Sequence, residues 1–298
     1  YLSQLHNSII DILLSFFLYK YNYIKMKNYL NFETDIKNLE NELEKLKDPF
    51  NQEGLSEVDT KKISKTQEEI DEKLKDIYEN LVRQFGAIHT VSLGVPGPVK
   101  DNVMGPSFPL GTREQFTFER CFKGLSRLIV KNDLFMALAA EMTEGHGVNY
   151  RNVVLVSIST GIGTAAAFNG VPIEIRSEMG HQRIGVIGAE AAKCINHSNC
   201  WASMCSGKAM SKKEGSLDLD LIRSANLEAF INLTAAYDPE VIVVMGGVGV
   251  GLFDQVIPTQ GDLAAEVLLG AAPLILKTKL GDDIGAIGAV KLARSAWI

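Results

Sequence analysis

Between residues 35 and 48 the apolar side chains Ile36, Leu39, Leu43 and Leu46 recur every three or four positions among Glu and Lys. That is the period of an amphipathic helix. Asp48-Pro49 ends it, because proline disfavours helical backbone in the residue before it. A second stripe, Ile70, Leu74, Ile77 and Leu81, predicts another helix. Thr66 and Glu69 stand at capping-box spacing and would open it, Gly86 would close it, and 51–58 reads as a polar connection before it. The pattern then changes. Short apolar runs at 88–93, 127–130, 153–157, 164–168 and 241–245 predict strands, the third and fourth forming a hairpin. Helical patterns occupy 134–145, 219–237 and 284–298, and Asp238-Pro239 stops the middle one. Alternation of helix, strand and glycine turn argues an α/β fold. No repeat of fixed period appears.

Composition narrows the class. The chain has 298 residues, room for two ordinary domains, and 46% hydrophobic with 22% charged residues is the balance of a globular protein. A net charge of -6 argues against a nucleic-acid binder and is compatible with a metabolic enzyme. Residues 9–19 are apolar but contain Asp11 and Ser15 and are too short to span a bilayer, so a covered helix is expected there and no membrane partner. The cysteines are Cys121, Cys194, Cys200 and Cys205, the last three clustered. So few in a chain this long read as cytoplasmic, and the cluster suits metal ligation better than disulfides.

Four segments carry candidate chemistry. Gly94-Val95-Pro96-Gly97-Pro98 is a tight loop after a strand. Asn132-Asp133 follows a strand and opens a helix; its carboxylate suits a general base facing a cleft, or merely a helix N-cap. Ser159-Thr160-Gly161-Ile162-Gly163 joins two strands, and its glycines would let backbone N–H groups approach a phosphate, or simply turn a hairpin. Glu178-Met179-Gly180-His181 pairs an acid with an imidazole. Gly246-Gly247-Val248-Gly249 adds a glycine turn after a buried strand, equally readable as purely structural.

In order and spacing these segments resemble the ROK family (repressors, open reading frames, kinases), specifically its glucokinase-like sugar kinases, from about Leu55 to the C-terminus. The resemblance implies an actin-like ATPase (ribonuclease-H-like) two-domain fold. It divides the chain into an atypical helical segment 1–54, a smaller α/β domain 55–133 completed by the helix 284–298, and a larger α/β domain 134–283. It implies ATP and Mg²⁺ as cofactors, a hexose and a nucleotide as partners, a homodimer, and phosphoryl transfer to a sugar hydroxyl. Asp133 would be the base. Gly97, Ser107, Asn132, Glu178 and His181 would hold the sugar, and Thr160, Gly161, Gly163, Gly246 and Gly247 the nucleotide.

The chain departs from the family in three places. Ser107 stands where an Asn contacts the sugar. The zinc segment keeps Cys200, Trp201 and Ser206-Gly207, but its first cysteine pair is reduced to Cys194. Zinc would then take His181, Cys194 and Cys200, with His197 or Cys205 as fourth ligand; a metal-free loop with buried thiols is the alternative. Finally, the family's opening Asp-x-Gly-Gly-Thr, which holds Mg²⁺ and the transferring phosphate, is absent. Either that segment lies upstream of Tyr1 or the N-terminal strands have been replaced, and in the second case a sugar-binding regulator or pseudo-kinase is the rival to a working kinase.

Overall fold

The computed structural model describes residues 57–107, 115–174, 178–185, 199–211, 216–266 and 271–294. The helix expected over 35–48, the apolar run 9–19, and Cys194 and His197 lie outside the described residues. The described chain divides into two units. One takes the residues up to Asp133 with the stretch from Ala289; the other is Leu134–Gly288.

In unit 1, helix α1 (Glu57–Phe85) is followed by β1 (Thr90–Val95), a meander of β2 (Val99–Lys100), β3 (Val103–Met104) and β4 (Phe116–Thr117), and then β5 (Arg127–Asn132). The helix does not start at Thr66. The residues before it are mostly Glu, Asp, Lys and Ser, with no Gly or Pro to interrupt, so helix propagates back to Glu57 through the capping-box pair. Gly86 does end it: its φ is +84° and its N–H reaches the Val82 carbonyl at 2.9 Å. The predicted inner face packs as expected, Leu81 fully buried and Ile70, Leu74 and Ile77 alongside.

Strand β1 runs two residues past the expected end because its parallel register with β5 extends from Thr90↔Arg127 to Val95↔Asn132. The meander turns at Asp101-Asn102, both left-handed with φ of 51° and 60°. The Asn102 amide then behaves like one more strand residue on β5: it donates to the Leu128 carbonyl at 2.9 Å and accepts from the Val130 N–H at 2.8 Å. A buried polar cluster joins α1 to the turn after β4. Asp71 accepts from Arg120 at 2.6 Å and from the Cys121 thiol at 3.2 Å. Burial and the neighbouring carboxylate push the Cys121 thiol up to about 12, so it stays protonated and unreactive at neutral pH.

Unit 2 is built on one five-stranded sheet of order β10-β9-β6-β7-β8. These are β6 (Val153–Ile158), β7 (Ile162–Phe168), β8 (Val171–Pro172), β9 (Val241–Met245) and β10 (Leu274–Lys277). The meander β6-β7-β8 is antiparallel, while β9 and β10 run parallel to β6. Every residue of β6 is buried, which requires cover on both faces. Period-2 alternation supplies it. Val154, Val156, Ile158, Ile242 and Val244 face a core with α3 (Trp201–Cys205) and α5 (Leu219–Tyr237). Val153, Leu155, Val241 and Val243 face the other core with α2 (Asp133–Glu144) and the start of α9 (Ile284–Arg294). Gly288 lets α9 lie against α2: a Cβ there would sit 1.7 Å from the Met136 carbonyl oxygen.

Short helices α4 (Gly207–Ser211), α6 (Gly247–Gly251), α7 (Phe253–Val256) and α8 (Gln260–Ala264) fill the crossovers. The fully buried Glu141 side chain accepts from the His146 N–H at 2.8 Å and from the Thr278 hydroxyl, so both of its oxygens are hydrogen-bonded. Among the described residues no helix is long and apolar enough to cross a membrane.

Candidate active site

In unit 1 the candidate residues lie on a loop and at a strand end. Because β1 and β5 are parallel and in register to Val95↔Asn132, the Gly94–Pro98 segment and Asn132-Asp133 emerge side by side. The Asn132 amide donates to the Gly97 carbonyl at 3.1 Å and lies 3.5 Å from that of Val95. Ser107 is 1% exposed, and its hydroxyl donates to the Pro96 carbonyl. Two residues expected to touch sugar therefore also hold the loop's carbonyls in place. Gly97 is confined by this bracing: a Cβ would lie 3.2 Å from Ser107 Cβ and 3.3 Å from Met104 Cγ. Asp133 is the first residue of α2 and is exposed. It is the acidic residue of the first turn, where a carboxylate complements the positive end of the helix dipole.

Unit 2 contributes three turns that meet. The β6–β7 hairpin tip exposes Thr160 and Gly161. The Ser159 N–H is spent on the Gly161 carbonyl at 2.8 Å, but no described acceptor takes the N–H of Thr160 or Gly161. Two backbone donors and the Thr160 hydroxyl are thus presented together at an exposed tip, a donor set suited to an anion. Gly207 and Lys208 donate to the Ser159 and Thr160 carbonyls at 2.7 and 3.2 Å, anchoring a second turn on the first. Gly246 opens the third turn with φ +86°, and a Cβ there would lie 2.5 Å from the Ile158 carbonyl oxygen. A Cβ on Gly247 would meet open space. Gly163 lies inside β7, opposite Ser157 and against Leu134, so it shapes the strand below the tip.

The acid–imidazole segment presses on the same hairpin. Glu178 is exposed and precedes a 3-10 turn over Met179–His181. A Cβ on Gly180 would fall 1.9 Å from the Ile162 carbonyl oxygen, so only glycine lets this turn dock on β7. His181 Nδ1 lies 3.7 Å from Cys200 Sγ. An Arg183–Cys200 bridge and the Trp201 N–H on the Gln182 carbonyl at 2.9 Å hold the two chain segments together. The buried Cys205 thiol donates instead to the Ile222 carbonyl at 3.7 Å. Among the described residues no group of three His, Cys, Asp or Glu is arranged to hold a metal ion.

The Ser206-Gly207-Lys208 turn carries no assigned role from sequence reasoning. Its signal was a Ser-Gly pair opening a helix, and the Ser206 hydroxyl does cap that helix by accepting from the Ala209 N–H at 3.2 Å. What sequence did not show is that this turn bonds to the hairpin tip.

Comparison with known proteins bears on the family and the fold. The profile of the ROK family matches residues 50–229. The chain belongs to the ROK family. It is 27% identical over 186 residues to a fructokinase of Pediococcus pentosaceus, covering 55% of this chain and 63% of that one. A stretch of 56 residues, 19% of the chain, is 79% identical to the acetyl-coenzyme A carboxylase carboxyl transferase subunit alpha of Pelagibacter ubique (strain HTCC1062), over 15% of its length. The chain thus spans less than two thirds of each of these relatives. Among solved structures, the ROK hexokinase from Thermus thermophilus aligns with a TM-score of 0.59 at 22% identity, over 76% of this chain and 86% of that one. A ROK family glucokinase from Streptomyces griseus in complex with glucose and AMPPNP aligns with a TM-score of 0.57 at 20% identity, over 75% and 88%. The ROK protein described here accordingly has the actin-like ATPase, ribonuclease-H-like fold.

Proposed function

We propose that this ROK protein is an ATP-dependent hexose kinase of the glucokinase type. The observation that carries the reading is the exposed Thr160-Gly161 tip, with its two backbone donors and hydroxyl, anchored by one glycine turn and packed against another. MgATP, when bound, supplies the γ-phosphoryl group and the metal charge that stabilises its transfer. Thr160 and Gly161 orient phosphate, and the open face at Gly247 leaves room for the nucleoside. Asp133 accepts the proton of the attacking sugar hydroxyl. Glu178 and His181 bind sugar hydroxyls, and Asn132 and Ser107 keep the Gly97 loop in shape for the same ligand.

Positioning and charge stabilisation supply most of phosphoryl-transfer catalysis, so turnover depends on the whole phosphate site being in place. The second reading is a sugar-binding regulator without turnover, since the family takes in repressors as well as kinases. Following ADP from the full chain with MgATP and a panel of hexoses separates them. Hexose-dependent ADP release supports the kinase; hexose binding with no release supports the regulator; neither binding nor release rejects both.

A zinc ion fits part of its expected site. Ligands on one tetrahedral zinc, one sulfur and one nitrogen, stand about 3.6 Å apart, and the Cys200–His181 pair stands at 3.7 Å. Those two residues would hold the ion, with Cys194 and either His197 or Cys205 completing the set. Elemental analysis of protein purified without chelator should find about one zinc per chain; none, with reactive thiols throughout, would remove the site.

A further inference from the structure

The hairpin tip that would receive nucleotide phosphate has a cationic neighbour to which no role is attached. Lys208 is half-buried, and its N–H donates to the Thr160 carbonyl at 3.2 Å, so its side chain starts one hydrogen bond away from the exposed tip. The preceding Gly207 is pinned in the same way to Ser159 at 2.7 Å. A Cβ on Gly207 would lie 2.9 Å from the Ser159 oxygen and 3.2 Å from Val248 Cγ2, so the third turn closes on the same point. Of the described residues hydrogen-bonded to the tip, Lys208 is the one that brings positive charge. Its amide is already committed to Thr160, so anything it gives a ligand comes from the ammonium group.

We propose that the Lys208 side chain contacts the phosphates of the bound nucleotide, beside the Thr160-Gly161 donors; this rests on the kinase reading above. The physical case is one of charge. A nucleotide diphosphate or triphosphate brings several negative charges to a protein whose own net charge is -6. Two backbone N–H groups and a hydroxyl orient phosphate but carry no formal charge. An ammonium on a flexible four-carbon stem, rooted at the tip, supplies that charge without fixing the phosphate geometry the tip already sets.

The test is calorimetric titration of the full chain with MgADP and, separately, with adenosine, for the wild type, Lys208→Gln and Lys208→Arg. Lys208→Gln keeps most of the stem and removes the charge. It should bind MgADP roughly tenfold more weakly, lose much of the salt dependence of that binding, and bind adenosine as the wild type does. Lys208→Arg should restore MgADP affinity to within about threefold. Unchanged MgADP affinity in Lys208→Gln would overturn the inference, and so would equal losses for MgADP and adenosine, which mean a structural role. A wild type that binds neither ligand contradicts the kinase reading itself, an outcome distinct from a wild type that binds MgADP with Lys208 indifferent.

Discussion

In unit 2 the strand that leads into the phosphate-type turn, β6, is paired on both sides, by β7 and β9. In unit 1 the strand that leads into the Gly94–Pro98 loop, β1, is paired on one side only among the described residues, by β5. The two turns are held in correspondingly different ways. The tip at Thr160-Gly161 is held by backbone: glycines at 180, 207 and 246 bring other chain segments against the carbonyls of Ile162, Ser159 and Ile158. The loop at Gly97 is held by side chains, the Asn132 amide and the Ser107 hydroxyl on its carbonyls. A backbone-held turn leaves its N–H groups pointing outward at a fixed spacing, which suits phosphate. A side-chain-held loop places polar groups that suit hydroxyls. The comparison thus supports the proposal of nucleotide at the unit 2 turns, and of the base with part of the sugar contacts in unit 1.

If the division of labour is right, the largest effect comes from one exposed carboxylate. Asp133→Asn should leave folding and hexose affinity intact and lower kcat by about 100-fold or more, the usual scale for loss of a general base. Steady-state kinetics beside calorimetry checks it, and turnover near the wild-type value would take the base away from unit 1. The next effect is on stability. Gly246→Val must adopt φ +86° with its Cβ 2.5 Å from a carbonyl oxygen, so urea unfolding should show a loss of about 3 kcal/mol or more. Gly97→Ala meets only side-chain carbons and a hydroxyl at 3.2 Å and beyond, and should cost about 1 kcal/mol or less. Similar costs at the two glycines would erase the distinction between backbone-held and side-chain-held turns. The smallest effect concerns the sugar. Glu178→Gln replaces a charged acceptor by a neutral one and should weaken hexose binding by about 1.5–3 kcal/mol; equal calorimetric affinities would remove Glu178 from the site.

Helix Leu219–Tyr237 and strand Val241–Met245 are legible in sequence to the residue, because strong local signals bound them: the Asp218 N-cap, left-handed Asp238 followed by proline, and an unbroken Val-Ile-Val-Val run. The start of α1 was not legible, because a capping box marks an end only where helix-forming residues do not continue upstream. Strands β2, β3, β4, β8 and β10 are two to four residues long, too short for a period to show, and their existence is decided by the partners they pair with. The site divides the same way. Motif glycines and acids could be found along the chain, whereas the meeting of the 206–208 turn with the hairpin tip joins segments nearly fifty residues apart and depends on Gly207 bonding to Ser159. The inward turn of Ser107 was hidden for the same reason, since its partner Pro96 lies 11 residues back, across the β2–β3 hairpin.

The account stands or falls on whether one chain both binds a hexose and transfers phosphate to it. The direct measurement is a calorimetric glucose titration paired with glucose-dependent ADP release on the same preparation. The account predicts saturable glucose binding together with ADP release that rises with glucose and falls by about 100-fold or more in Asp133→Asn. Glucose binding with no glucose-dependent ADP release would contradict it.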